Sequence, residues 1–210
     1  MTEIVSIDRD GSPAAVAALE RVVFGGGVAI FPADGLYGIA CDPLRAASIE
    51  RIHLIKGRDD GKPSAVLYFS PLAMRELLSG LGERSRDAVG ALLPGALTLV
   101  LANPEQRYPL ACREDRERIG VRLIGGPLAG ASCPIFQTSA NRSGEPAPTA
   151  FDEIDPAVLE GVDLAIDGGR LTGMPSTVVD LTEIESGGEW HVLREGAVPT
   201  SELKRLLADV

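Results

Sequence analysis

The sequence has few cysteines and histidines, and their spacing excludes several kinds of site. Its 210 residues contain two histidines and three cysteines, Cys41, Cys112 and Cys133. There is no Cys-x-x-Cys pair and no histidine near a cysteine, which argues against a zinc knuckle and against a disulfide framework. We therefore expect three buried free thiols. No Ser-His-Asp arrangement emerges either, so hydrolysis by a catalytic triad is not expected.

Long apolar runs and an excess of basic residues are also missing. No stretch approaches the length of a membrane span, and residues 1–11 do not combine a basic segment with an apolar one as a signal peptide does. We therefore expect a cytoplasmic protein. The formal net charge of −10 argues against broad binding of nucleic-acid phosphates, although a local basic pocket remains compatible with it.

Strand-like and helix-like segments alternate along the chain, without repeats or a disordered linker. This pattern predicts one α/β domain over residues 1–210, built on a mixed sheet. Ser12 and Pro13 are expected to be the N-cap and the first residue of the first helix. The predicted helices are 14–24, 46–56, 72–81, 85–93 and 201–207; the predicted strands are 28–31, 64–69, 97–102, 120–123, 134–138, 162–166, 177–181 and 191–193; and 32–38 is predicted to be a loop.

Two cations lie at the predicted end of the helix 46–56. Gly57 follows an apolar helical pattern and is expected to end the helix, with Lys56 in the last turn and Arg58 just beyond it. The two side chains can converge there on a phosphate group. A solvated basic helix end that complements the helix dipole is the other interpretation. This segment alone favours neither.

A second polar cluster, 138–144, follows the predicted strand 134–138. In an extended chain Ser139 and Asn141 point the same way and could hold phosphate oxygens or a carboxylate. A turn is the alternative, because serine and asparagine side chains often bond their own backbone. The same two interpretations apply to Ser176.

Two isolated charges also predict contacts. Asp34, after a buried strand, is a candidate partner for Mg²⁺ or for a basic residue, or it is a turn aspartate. Arg122 lies inside an apolar strand, where a charge is costly unless it is paired. A ligand anion or a buried carboxylate should therefore meet it.

Together these segments resemble the YrdC family, the TsaC-type threonylcarbamoyl-AMP synthases. Each motif is weak alone, and the resemblance depends on their order from about residue 26 to residue 196. The segments that carry it are the loop 32–38, Lys56-Gly57-Arg58 with Lys62-Pro63, residues 94–98, residues 120–122, Ser139-Ala140-Asn141 through Gly144, residues 176–178, and Arg194 with Gly196.

The resemblance implies a twisted mixed sheet with flanking helices around a concave basic cavity. It implies a reaction of L-threonine, bicarbonate and ATP, with Mg²⁺, that gives threonylcarbamoyl-AMP and pyrophosphate. Lys56 and Arg58 would be the catalytic residues, and no metal-binding side chains are implied. ATP would be held by Lys56, Arg58, Lys62, Asn141, Thr149 and Arg194, and threonine or its carbamate by Gly35, Arg122, Ser139 and Ser176.

The resemblance also implies a downstream transferase complex that places the group on tRNA, with little direct tRNA binding by this chain. The sequence departs from the family at Ala33 and Gly35, where threonines are usual, and at Leu67, where longer members have histidine. The loss of these hydroxyls opens space and removes polar contacts, so the identity of the amino-acid substrate stays open. Two alternatives therefore stay open: a related enzyme that forms another carbamoyl or acyl adenylate, and a non-catalytic nucleotide- or RNA-binding module.

Overall fold

Ten short strands form one mixed sheet in the computed structural model, which describes residues 1–57 and 61–208. Apolar residues dominate most of them, as expected for strands that are covered by helices. The strands are β1 (Glu3–Ser6), β2 (Ala29–Ala33), β3 (Leu36–Cys41), β4 (Ala65–Tyr68), β5 (Leu97–Ala102), β6 (Arg118–Leu123), β7 (Ile135–Ser139), β8 (Leu164–Asp167), β9 (Thr177–Asp180) and β10 (His191–Arg194).

Helices lie between most of these strands, and two short 3₁₀ helices, Phe151–Glu153 and Ile184–Ser186, add to them. The longest helix begins with a proline in its first turn and ends where three glycines follow. The α-helices are α1 (Ile7–Asp10), α2 (Ser12–Phe24), α3 (Ala46–Ile55), α4 (Arg75–Ser79), α5 (Glu83–Leu92), α6 (Pro109–Cys112), α7 (Pro156–Glu160) and α8 (Thr200–Leu206).

The strand order across the sheet is β1-β8-β2-β3-β7-β4-β6-β5-β9-β10. Four neighbouring pairs are parallel, namely β1 with β8, β8 with β2, β4 with β6, and β5 with β9. The other pairs are antiparallel. Because every strand of the described chain joins this sheet, the mixed single-domain α/β fold predicted from the sequence is confirmed.

One face of the sheet packs on the larger hydrophobic core. Strand alternation shows this clearly in β5, where Leu97, Leu99 and Leu101 are buried while Thr98 and Val100 face the other way. The core residues of β5 pack with apolar residues of α3, α4, α5, α7 and α8. This face of the sheet therefore carries most of the helices.

The opposite face is covered over only part of its width. The buried residues of α2 pack on β1, β8, β2 and β3, and the segment 124–133 extends this second core to Leu67 and Ile135. Further along the same face, the residues of β6, β5 and β9 that point in this direction include arginines, a glycine, a threonine and two valines, and they line an open cavity. Part of this sheet face is therefore open, and the candidate site lies there.

The prediction of a loop over residues 32–38 is wrong. β2 continues through Pro32 to Ala33, a two-residue turn follows at Asp34 and Gly35, and β3 begins at Leu36. A proline normally interrupts a strand because it has no N–H to donate. Pro32 is tolerated because the pairing of β2 with its other neighbour, β8, involves only Ala29 and Ile30.

Most other predicted elements are confirmed within a few residues. The helix 72–81 is shorter than predicted, because the regular part of α4 covers only Arg75–Ser79. Ser12 is not the N-cap of α2. Gly11 is both the C-cap of α1 and the N-cap of α2, so Ser12 is the first residue of α2. β1, β3, the short helices α1, α6 and α7, and the two 3₁₀ helices were not predicted.

The three cysteines are free and buried, as the sequence predicts. Burial raises the pKa of the Cys41 and Cys133 thiols to about 12. These thiols are therefore protonated at neutral pH and are poor nucleophiles. Within residues 1–57 and 61–208, none of the helices has both the length and the apolar character that a bilayer crossing requires.

Candidate active site

A cavity of about 570 Å³ occupies the open part of the second sheet face. It extends over the strands from β3 to β10, so that distant parts of the sequence contribute to one wall. Many residues of this wall are polar or charged: Ser64, Thr98, Asp115, Arg118, Arg122, Gln137, Thr138, Ser139, Ser176 and Arg194.

Strand β6 supplies two arginines to the cavity. Arg118, Gly120 and Arg122 alternate along the strand, so they share the face that lines the cavity. Gly120 has no side chain to fill the space between the two guanidinium groups. Arg118 is not among the predicted site residues, although it lies four residues before Arg122 and so on the same face of a strand, which is a signal that could have identified it.

Arg122 is buried and paired. Its Nη2 donates to Asp34 Oδ2 at 2.6 Å and its Nη1 donates to Gln137 Oε1 at 2.7 Å. Burial lowers the pKa of the guanidinium, with the Asp34 charge opposing the shift. Burial likewise raises the pKa of Asp34, with Arg122 opposing it. Arg122 was expected to meet a ligand anion or a buried carboxylate; the structure pairs it with Asp34, a half-buried carboxylate, which is thus the partner of a basic residue.

The position of Asp34 depends on the turn between β2 and β3. Asp34 has a φ of 58°, in the left-handed region that aspartate tolerates better than most residues. Gly35 packs against a neighbouring segment: Gly173 N donates to Gly35 O at 2.9 Å, and a Cβ on Gly35 would lie 2.0 Å from the carbonyl oxygen of Met174. Gly35 is therefore required for packing, whatever its role toward a ligand.

Lys56 joins the end of α3 to the polar cluster after β7. Its Nζ donates to the backbone oxygens of Ser139 at 2.5 Å and Asn141 at 2.8 Å. The N–H of Ser143 donates in return to Lys56 O at 2.9 Å. Gly57 ends the helix with a φ of 79°, as predicted. Lys56 is thus a half-buried, hydrogen-bonded cation rather than a solvated helix end.

The predicted ATP ligands are in different surroundings. Arg58 lies outside the described residues. Lys62 is exposed, and neither it nor Thr149 belongs to the cavity wall in the part of the chain that the structure describes. The Thr149 hydroxyl donates to Glu153 at 2.8 Å. Asn141 Nδ2 donates to two backbone oxygens, while its Oδ1 is buried without a hydrogen-bond partner among the described residues.

Ser176 and Arg194 meet on the far side of the cavity. Arg194 Nη2 donates to the backbone oxygen of Ser176 at 2.8 Å and to its hydroxyl at 3.2 Å. The Ser176 hydroxyl also shares a hydrogen bond of 2.9 Å with Thr98 Oγ1. Arg118 forms an ion pair with Asp180 in the same region. Ser176 and Arg194 are among the predicted site residues, whereas Thr98 is not.

Charge and geometry together define what the cavity can bind. Arg118, Arg122 and Arg194 approach it from two strands, in a chain whose net charge is strongly negative. Hydroxyls of Ser139, Ser176 and their neighbours supply hydrogen bonds. Such an arrangement suits a ligand with more than one anionic group. Among the described residues, no group of three or more His, Cys, Asp or Glu side chains is placed to hold a metal ion.

Comparisons with known proteins identify relatives over nearly the whole chain. Residues 21–196 match the family model Sua5_yciO_yrdC, whose description is "Telomere recombination". A threonylcarbamoyl-AMP synthase of Xanthomonas axonopodis pv. citri (strain 306) is 30% identical over 202 residues, which cover 93% of this chain and 100% of that protein.

Two crystal structures are similar in fold. YciO of E. coli has a TM-score of 0.81 and 26% identity, covering 97% of this chain and 100% of that one. Sua5 of P. abyssi complexed with L-threonine has a TM-score of 0.83 and 24% identity, covering 100% of this chain and 62% of that one. The chain therefore spans less than two thirds of the length of that Sua5 protein.

Proposed function

The chain belongs to the Sua5_yciO_yrdC family, and we propose that it is a threonylcarbamoyl-AMP synthase. The reaction condenses L-threonine, bicarbonate and ATP to threonylcarbamoyl-AMP, pyrophosphate and water, and the water is released when the amine and bicarbonate form the carbamate. The observation that carries the proposal is the open sheet face on which Arg118, Arg122 and Arg194 line one cavity. The functional domain in this proposal is the whole chain, residues 1–210.

The chemistry of the reaction requires such a cavity. The carbamate oxygen attacks the α-phosphorus of ATP, a P–O bond forms, and the bond to the leaving pyrophosphate breaks. Both reactants are anions, so they must be aligned while fixed positive charges offset their repulsion. No covalent intermediate with the protein is needed. Mg²⁺ enters as part of the substrate, bound to the ATP phosphates.

In this proposal Arg122, Ser139, Ser176 and the backbone at Gly35 hold threonine or its carbamate. Arg122 supports the role because it is a buried cation with N–H groups that its partners do not use. Ser139 and Ser176 both line the cavity, and the Ser176 hydroxyl is hydrogen-bonded to Thr98 and Arg194 there.

Lys56 and Arg58 are the proposed electrostatic stabilisers of the transferring phosphate. Lys56 also holds the backbone of residues 139–141, and Arg194 lies at the cavity wall. The ATP-binding roles of Arg58, Lys62, Asn141 and Thr149 rest on the resemblance of their sequence positions.

The product has an expected consumer. Threonylcarbamoyl-AMP is an activated acyl adenylate, and we propose that a separate transferase complex uses it to modify tRNA. The chain itself then needs no tightly bound tRNA. A cytoplasmic location, where ATP and tRNA are both available, is part of the same proposal.

The function can be tested by ATP–pyrophosphate exchange and by detection of the AMP adduct, with bicarbonate and each amino acid in turn. We expect threonine-dependent exchange. Lys56→Ala and Arg58→Ala should each lower it by about 10²- to 10³-fold, the usual cost of removing an electrostatic contact to the transition state.

Lys204→Ala and Arg205→Ala, on the exposed side of α8, remove the same charges away from the cavity and should leave the rate unchanged. Exchange with equal rates for threonine and other amino acids would contradict the substrate assignment. Folded protein without any exchange would contradict the enzyme assignment.

A further inference from the structure

Arg122 is held at both terminal nitrogens by side chains from outside its own strand. Asp34 comes from the turn between β2 and β3, and Gln137 comes from β7. Among the described residues, Arg122 Nε is buried and has no hydrogen-bond partner. The guanidinium has five N–H bonds in one plane. Contacts at both terminal nitrogens therefore leave three N–H bonds, the Nε–H among them, without a partner among the described residues.

The two acceptors are themselves fixed in position. Gln137 is paired with Ala65 of β4, the strand between β7 and β6, so Gln137 and Arg122 lie on the same sheet face. Asp34 is fixed because Gly35 is packed against the backbone of Met174. The backbone of neither acceptor can move without disturbing the sheet or the turn.

The two acceptors affect ligand binding through the orientation of Arg122 and through the charge around it. A planar guanidinium that is fixed at both terminal nitrogens has a fixed orientation, which two-point recognition of a carboxylate requires. Asp34 neutralises one charge and Gln137 is neutral, so the pair Arg122–Asp34 carries no net charge. A second carboxylate at position 137 would make this part of the cavity negative and would repel an anionic substrate.

We propose that Asp34 and Gln137 are positioning residues that hold Arg122 with its unused N–H groups toward the cavity, where they bind the carboxylate of the amino-acid substrate. Both act through Arg122 and neither touches the reacting atoms. This inference rests on the proposed function for the identity of the carboxylate, but the fixed orientation of Arg122 can be measured without any substrate.

The first experiment measures the orientation directly. In ¹⁵N NMR spectra of arginine side chains, a held guanidinium gives separate signals for its two terminal nitrogens, and Arg122→Lys assigns them by their loss. We expect separate Arg122 signals in the wild-type chain. Asp34→Asn and Gln137→Met should make them coalesce, while the backbone amide spectrum stays that of a folded protein. Separate signals in both variants would overturn the proposal.

The second experiment measures the effect on substrate. Each variant should raise the KM for L-threonine by about 10- to 100-fold, the value of a hydrogen bond to a charged group, with the KM for ATP and kcat nearly unchanged. Gln137→Met keeps the ion pair intact, so it provides a folded variant even if Asp34→Asn is unstable. Gln137→Glu should be worse than Gln137→Met. Asp87→Asn, exposed on α5, is the matched control.

A double-mutant cycle shows whether the residues act through Arg122. In an Arg122→Lys background, Asp34→Asn should add little to the rise in KM, whereas fully additive effects would overturn the proposal. The failure of the two proposals can be told apart. Separate Arg122 signals that L-threonine does not perturb would contradict the proposed substrate and would leave the positioning by Asp34 and Gln137 supported.

Discussion

At the scale of single residues, Glu153 is a carboxylate with several hydrogen-bond donors. It accepts from the backbone N–H and the hydroxyl of Thr149 and from the backbone N–H of Ala150. Its other carboxylate oxygen accepts from Arg170 at 3.0 Å. These bonds favour the charged form and lower the pKa of Glu153 to about 2. The carboxylate therefore fixes Thr149, one of the proposed ATP ligands, in its place.

The Glu153 pKa predicts a pH-dependent contribution to stability. A carboxylate with a pKa of about 2 when folded, against an ordinary 4.5, stabilises the fold above pH 4.5, and this contribution is lost as the pH falls toward 2. Glu153→Gln should therefore lower the free energy of unfolding at pH 7 and should have little effect near pH 2.

Urea unfolding of both chains at several pH values measures this difference. Glu160→Gln, exposed on α7, provides the control carboxylate. A difference between wild type and Glu153→Gln that stays constant from pH 7 to pH 2 would contradict the assigned cause.

Single residues were predictable where their neighbours in sequence determine them. Gly57 was identified because a helix end favours glycine in a left-handed conformation, and its φ is 79°. The need of Arg122 for an anionic partner followed from burial of a charge. The identity of that partner did not, because Asp34 is 88 residues away in sequence.

At the scale of elements, the hairpin of β2 and β3 was not predicted from the sequence. The two strands are joined by only two residues, Asp34 and Gly35, and the turn packs against residues 172–174. Pro32 made the segment look like a loop. β2 pairs with β8 only as far as Ile30, so the N–H that Pro32 lacks is not needed for pairing on that side. This is visible only in the assembled sheet.

The close packing of the hairpin turn predicts that one added methyl group at Gly35 destabilises the protein. In Gly35→Ala, the Cβ would lie 2.0 Å from Met174 O, so the turn must move. We expect a loss of about 1–3 kcal/mol of stability, as for other overpacked sites. The movement also shifts Asp34 away from Arg122, so the KM for L-threonine should rise.

Gly90→Ala is the matched control for this prediction. Gly90 is exposed within α5, and an added Cβ would have no heavy atom within 4 Å. This substitution should raise stability by about 0.5–1 kcal/mol, because alanine loses less entropy than glycine in a helix. Thermal or urea unfolding measures both variants. Equal effects of the two substitutions would contradict the proposed packing of the turn.

The distribution of charge matters at the scale of the whole molecule. The chain has 30 acidic and 20 basic residues, yet three arginines line the one cavity described above. A small anionic ligand meets guanidinium N–H donors inside the cavity, where Arg118 and Arg122 are already paired with Asp180 and Asp34. A long polyanion must instead approach the outer surface, where the acidic excess repels it.

This distribution predicts weak direct binding of tRNA. In a gel-shift titration at moderate salt, we expect a dissociation constant no tighter than about 10⁻⁴ M, the weak end of non-specific binding. ATP binding, measured by calorimetry under the same conditions, should be much tighter. A stable tRNA complex would favour the alternative of an RNA-binding module.

The sequence by itself determined the α/β class, most strands and helices, and the motifs whose order indicates the family. These features depend on residues that are close in the chain: apolar periodicity, a proline in a first turn, a glycine at a helix end. The tertiary structure alone decided the strand order, which side of the sheet stays open, and the contacts of Arg122. Those depend on pairing between segments far apart in sequence, for which short-range patterns contain no direct information.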